Sequence, residues 1–170
     1  MGTTSVRAAG LGAAVLAALS ALVSAYWAAG GTVLLSTVGG DLERLAREGG
    51  SAAVLVLFLT ALAKAAGVVL ALALVRPPAR VPAVLLERVA IVTGTLLAGY
   101  GGILTAVGVV ALTGALGPVA DPLALRWHAL FWDPWFLVWG LLLLAAALGR
   151  RRIRQRAALR RERHGTSSDA

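Results

Sequence analysis

Four long apolar stretches separated by short polar turns, with an arginine-dense end behind them, constrain this chain more than any other feature. A bilayer core of about 30 Å is crossed by about 20 apolar residues in helix. The stretches 8–29, 52–75 and 89–116 reach that length. The stretch 134–148 is short by itself and needs Trp132 or the start of the basic segment to extend it. Composition agrees: of 170 residues 59% are hydrophobic and 14% charged, against about 25% charged in an ordinary soluble domain. The expected fold is all-α, an integral membrane four-helix bundle over 1–149. A basic, partly disordered tail over 150–170 follows it.

The chain has no cysteine, which excludes disulfides, thiolate metal sites and thiol redox chemistry. Its net charge is +8, and basic residues are unevenly placed. With a cytoplasmic N-terminus, the inner segments hold Arg7, Arg76, Arg80, Arg88 and the eight arginines of 150–163. The outer loops hold only Arg44, Arg47 and Arg126. Lys and Arg concentrate on the cytoplasmic side of membrane proteins. The chain is therefore expected in the cell membrane, multi-pass, with both termini cytoplasmic. The near-exclusive use of arginine, with abundant alanine, fits a high-GC bacterial genome. Val23-Ser24-Ala25 also resembles a signal-peptidase site, and cleavage after Ala25 would leave three spans.

The outer loops carry helix signals. Gly39-Gly40 and Gly49-Gly50 bracket 41–48, where Asp41 suits an N-cap and Leu42 and Leu45 share a face. Asp121-Pro122 and Asp133-Pro134 each read as an N-cap with proline at the first helical position. Two short amphipathic helices on the outer face are expected, the second carrying Leu123, Trp127 and Leu130, and Asp133 is expected to open span four. Three prolines within 76–82 exclude helix there and leave a stiff inner connector.

All five tryptophans fall near the outer face. An aromatic belt at headgroup level accounts for them, but Trp132, Trp135, Phe136 and Trp139 have helical spacing and could also line a cavity. Lys64 is the strongest candidate for function. It lies mid-span, where a charge costs roughly 2.5–3.5 kcal/mol on insertion scales. Within the expected spans no Asp or Glu stands ready to pair with it. Tyr100 is its best neighbour: both lie roughly 16 Å from the cytoplasmic ends of their spans, and the short connector predicts antiparallel packing of spans two and three. Gly94, Ala98 and Gly102 form a small-xxx-small ridge suited to tight helix contact. His128 beside Asp121 and Asp133 does not make a metal site, which needs three or four convergent ligands. No metal or other cofactor is expected. Arg150, Arg151, Arg152, Arg154 and Arg156 follow the last span directly, which favours anionic lipid headgroups over nucleic acid.

Two segments, Tyr26-Trp27-Ala28-Ala29-Gly30-Gly31 and Phe131-Trp132-Asp133-Pro134-Trp135-Phe136-Leu137, resemble those of domain of unknown function 3995, a family of small bacterial four-span membrane proteins. The resemblance covers the whole chain in layout and about a dozen residues in motif, and it implies no activity. It also implies a histidine where Ser24 stands here, so chemistry resting on that residue is not expected of this chain.

The leading functional expectation is a non-enzymatic protein that binds a lipid or small amphiphile in an outward-opening aromatic cavity. Its walls would be Tyr26, Trp27, Trp132 and Trp135, with His128 nearby and Lys64 and Tyr100 at the floor. One alternative is a structural or accessory subunit packing on a partner membrane protein through span three. Another is a small transporter or intramembrane enzyme using Lys64.

Overall fold

The computed structural model describes residues 2–166, with side chains through residue 160. Among them there is no strand. The order is α1 Thr3–Ala28, a 3₁₀ turn Leu35–Thr37, α2 Gly40–Glu48, α3 Gly50–Val75, α4 Ala83–Leu112, α5 Pro122–Trp127, a π turn His128–Trp132, and α6 Asp133–Thr166. Four helical stretches are long and apolar enough to cross a membrane: Thr3–Ala28, Gly50–Val75, Ala83–Leu112 and Pro122–Arg160. Large apolar side chains cover their outer faces, among them Leu22, Val69, Leu96 and Ile103, each at least 64% exposed. A water-soluble chain would not present so continuous an apolar surface; lipid is its natural solvent.

The spatial order is α3, α1, α6, α4. α1 packs along α3 and α6, α4 packs along α6, and α3 barely touches α4. The expected pairing of spans two and three is therefore corrected. Small residues decide it. α1 turns a face of Ala13, Ala14, Ala17, Ser20 and Ser24 inward, thin enough to sit between two helices. On α4, Gly94 and Gly101 lie directly against the backbone of α6 around Gly140 and Leu137. Such approach yields van der Waals contact that membrane helices otherwise lack. The ridge expected at Gly94, Ala98 and Gly102 is thus occupied within the chain, with Gly101 rather than Gly102 at the tightest point. The core between the helices holds Leu74, Leu86, Ala90, Trp139, Leu143 and Ala147.

Several caps and boundaries differ from expectation. Asp121 does cap α5, its Oδ1 accepting from the N–H of Ala124 at 2.9 Å. Asp41 does not cap α2: Gly39 stands at that position, and Asp41 instead pairs with Arg44 at 2.8 Å on the exposed face. Nor does Asp133 cap a free helix end, although α6 begins at it. The π turn runs straight into α6, with the Asp133 backbone helical and its N–H bonded to the carbonyl of His128. Pro134 explains the π turn. A proline inside a helix lacks a donor and crowds the carbonyl four residues back, and the wider turn relieves both. The Asp-Pro pair that reads as a helix start is here the sign of a helix crossed by proline. The basic segment continues α6 as helix to Thr166, and residues 167–170 of the expected tail lie outside the described ones.

α4 begins six residues before the expected span and so takes in Glu87. Its carboxylate is 2% exposed and accepts twice from Arg154, from Nη2 at 2.7 Å and Nε at 3.1 Å. Arg150 donates to the carbonyl of Leu74 at 3.2 Å. Two of the five arginines assigned to headgroups therefore tie α6 to α4 and α3; Arg151, Arg152 and Arg156 remain exposed.

Candidate functional site

Because α3 and α4 stand apart while joined by the 76–82 connector, a groove of about 740 Å³ opens sideways between them. Thr60 and Lys64 lie at one end, Gly67, Leu97 and Trp139 along the middle, and Val81 and Leu86 near the connector. Its size is within the roughly 300–1,000 Å³ of small-ligand pockets, and its lining is overwhelmingly apolar. Gly67 lets the Trp139 indole lie against α3; a Cβ there would meet Trp139 Cζ2 at 2.5 Å. The Trp139 indole N–H is buried and has no hydrogen-bond partner among the described residues.

Lys64 leaves α3 toward that helix's N-terminus, as helical side chains do. Its Nζ donates to Ser24 Oγ at 2.8 Å and to the carbonyl of Ser20 at 3.5 Å, both on α1. It also stands 5.6 Å from the centroid of the Phe136 ring, within cation–π range. Ser24 is four residues from the end of α1 at Ala28, so the ammonium sits about 6 Å below that end rather than at mid-bilayer. The stem thus brings the charge further out than the mid-span position of its Cα suggests. Among the described residues no carboxylate pairs with it.

Tyr100 is not its partner. The phenol is 52% exposed on the lipid side of α4, with its ring edge-on to Phe136 at 5.6 Å. Phe136 stands between the two residues. Thr60, one turn before Lys64 on α3, donates its hydroxyl to the carbonyl of Val56 on its own helix at 2.8 Å. Ser24 and Ser20 take their place, and only the α1–α3 pairing could have revealed them.

Trp27 and Trp132 form a closed end, not a mouth. Trp27 and Trp132 meet edge to face at 5.9 Å. The Trp27 indole donates to the carbonyl of Val33 at 2.9 Å, and that of Trp132 to Thr37 Oγ1 at 3.1 Å. Trp135 donates to the carbonyl of Leu16 at 3.2 Å. Tyr26 is half exposed, its hydroxyl accepting from the N–H of Val33 at 3.4 Å. His128 places Nδ1 3.2 Å from Asp133 Oδ1 and Nε2 3.0 Å from the carbonyl of Val38. Segment 33–38 is thus clamped over the bundle from several sides, turning at Leu34, whose φ of 62° is left-handed. Of the aromatic residues expected to wall a cavity, Trp27 and Trp132 instead close that end of the bundle, while Trp135 reaches the middle of α1 and Tyr26 lines a shallow surface cavity with Leu22 and Val33. Among the described residues no group of three His, Asp or Glu side chains converges as a metal site would require.

Residues 8–143 match the family described as protein of unknown function (DUF3995), and the chain belongs to that family. No curated protein and no solved structure matches the chain.

Proposed function

We propose that this member of the family is a cell-membrane protein that holds an anionic amphiphile in the lateral groove between α3 and α4. Lys64 receives the acidic head, and the apolar chain runs along Gly67, Leu97 and Leu86. The observation that carries this reading is an ammonium with no carboxylate partner among the described residues, at the end of an apolar groove of about 740 Å³. Leaving a charge so placed without a counterion is costly, and a ligand carboxylate or phosphate would supply one. The orphaned indole N–H of Trp139 beside the same groove could donate to a ligand oxygen. The side opening lets the ligand arrive from within the bilayer, which replaces the expected outward-facing mouth.

A fatty acid carrying a photoreactive group tests this. Placed beside the carboxylate, the group is expected to label Thr60 and Lys64; placed at the chain end, it is expected to label Val81 and Leu86. Labelling spread over lipid-facing residues such as Leu96 and Ile103, without regard to the group's position, would refute the groove as the site.

The orientation that we propose puts both termini in the cytoplasm, supported by the placement of basic residues. A cysteine introduced within α2 is expected to react with an impermeant reagent added outside intact cells, and a reporter fused after Ala170 is expected to read cytoplasmic. Protection of the α2 cysteine would reverse the topology. In this orientation the Lys64 ammonium lies in the outer half of the bilayer, so the ligand's head faces outward and its chain points inward.

A further inference from the structure

We propose a second site, for a phosphate group carried by an anionic phospholipid, in the polar pocket between α4 and α6 at the end of the bundle opposite Trp27 and Trp132. The pocket holds about 120 Å³ and is lined by Glu87, Arg88, Arg151, Arg154 and Gln155, with Val84 and Ile91 at its edge. On α4 these positions lie on the side away from the Lys64 groove, so the two sites are separate.

The ion pair in the pocket decides what it takes. Glu87 is buried and both its oxygens accept from Arg154. A buried carboxylate requires a partner of this quality, and the pair fixes the Arg154 guanidinium as one wall. Arg88 and Arg151 line the same pocket with no carboxylate partner among the described residues. Three arginines against one glutamate leave two net positive charges around the cavity. That charge calls for a compact anion, and guanidinium groups match the geometry of phosphate oxygens. The pocket's place selects the carrier. It sits where α4 and α6 leave the apolar zone, and Val92, 59% exposed on α4, offers apolar surface just beyond Ile91. A headgroup phosphate in the pocket leaves its acyl chains along that surface.

The test uses the full chain in phosphatidylcholine nanodiscs, with phosphatidylglycerol added and retention read by native mass spectrometry. Arg88→Gln with Arg151→Gln is expected to weaken phosphatidylglycerol retention at least about thirtyfold, because each removes a charge-assisted hydrogen bond to the phosphate. Arg152→Gln with Arg156→Gln removes the same charge outside the pocket and is expected to change retention less than threefold. Both pairs are exposed, so circular dichroism is expected to show unchanged helix. Equal losses in the two double variants would reduce the effect to diffuse attraction and overturn the site, as would full retention by the first. Inorganic phosphate at millimolar concentration is expected not to displace the lipid. Displacement would assign the pocket to free phosphate and overturn the phospholipid assignment.

Discussion

Gly140→Leu is expected to abolish the folded bundle. A Cβ at Gly140 would lie 2.7 Å from the Gly94 carbonyl oxygen and 2.9 Å from Ala98 Cα, and would overlap the Ala98 nitrogen. These are backbone atoms in the middle of a helix and cannot swing aside, so α4 and α6 must separate. Gly140→Ala, adding only that carbon, is expected to cost about 1–3 kcal/mol, the usual penalty for overpacking. It should lower the unfolding midpoint in detergent accordingly. Leucine exceeds what a small separation can absorb and should leave no monodisperse folded species. Gly99→Ala is the comparison: it lies on the same helix pair, and nothing stands within 4 Å of its Cβ. It is expected to be neutral, or stabilising by up to about 1 kcal/mol through the lower entropy of alanine in the unfolded chain. If Gly140→Ala and Gly99→Ala behave alike, the close approach of α4 and α6 is wrong.

Lys64→Leu is expected to raise the apparent insertion free energy of α3 by about 3–4 kcal/mol in favour of the membrane, from the difference between the two residues on insertion scales. It should at the same time abolish retention of an anionic amphiphile. Removing one member of a buried charge pair typically costs about 2–5 kcal/mol, so affinity for a fatty acid should fall at least about thirtyfold. Ser24→Ala separates this from a merely structural role. It removes the hydroxyl that accepts from Lys64 at 2.8 Å and leaves the charge. If Lys64 serves only to tie α3 to α1, both variants should lower stability together and neither should change ligand retention selectively. If Lys64 receives the ligand, Ser24→Ala should keep binding, since a ligand oxygen can take the hydroxyl's place. Retention by Lys64→Leu equal to that of the unaltered chain would defeat the proposed function.

Much of the architecture is legible in the chain because length and hydropathy report on the solvent directly. The four spans follow from apolar runs alone, and Lys64 stands out as the one lysine in the sequence. Neighbour relations are not legible in the same way. The short 76–82 connector argues for packing between α3 and α4, yet the alanine and serine face of α1 gives closer contact than any leucine-lined face could, and α1 takes the place beside α3. Ser24 therefore becomes visible as Lys64's partner only once that order is known. Glu87 is hidden by a boundary: with span three begun at Val89, its carboxylate belongs to a loop, and nothing marks it for Arg154 some 67 residues away. Asp133-Pro134 misleads for a local reason, because the same dipeptide suits a helix start and a π turn. The candidate site was half legible. Its charge could be found from sequence, but its walls could not, because Trp27 and Trp132 use their N–H groups to hold segment 33–38 and Trp135 uses its own on the Leu16 carbonyl of α1.

The spatial order α3, α1, α6, α4 bears on how the protein is made. Its two most extensive contacts, α1 with α3 and α4 with α6, each join helices that leave the ribosome one after the other as spans. The first hairpin can be complete before the second is synthesised, and the second carries its own glycine-lined seam. Domains and hairpins that fold as units during synthesis limit the time apolar and polar groups spend unmatched. Here Lys64 bonds its serine within the first hairpin, so its acceptors are supplied by α1 and need nothing from α4 or α6. The contact between α1 and α6 then docks two finished halves, and the proline connector, having no pairing to direct, needs only to be long enough to let them meet.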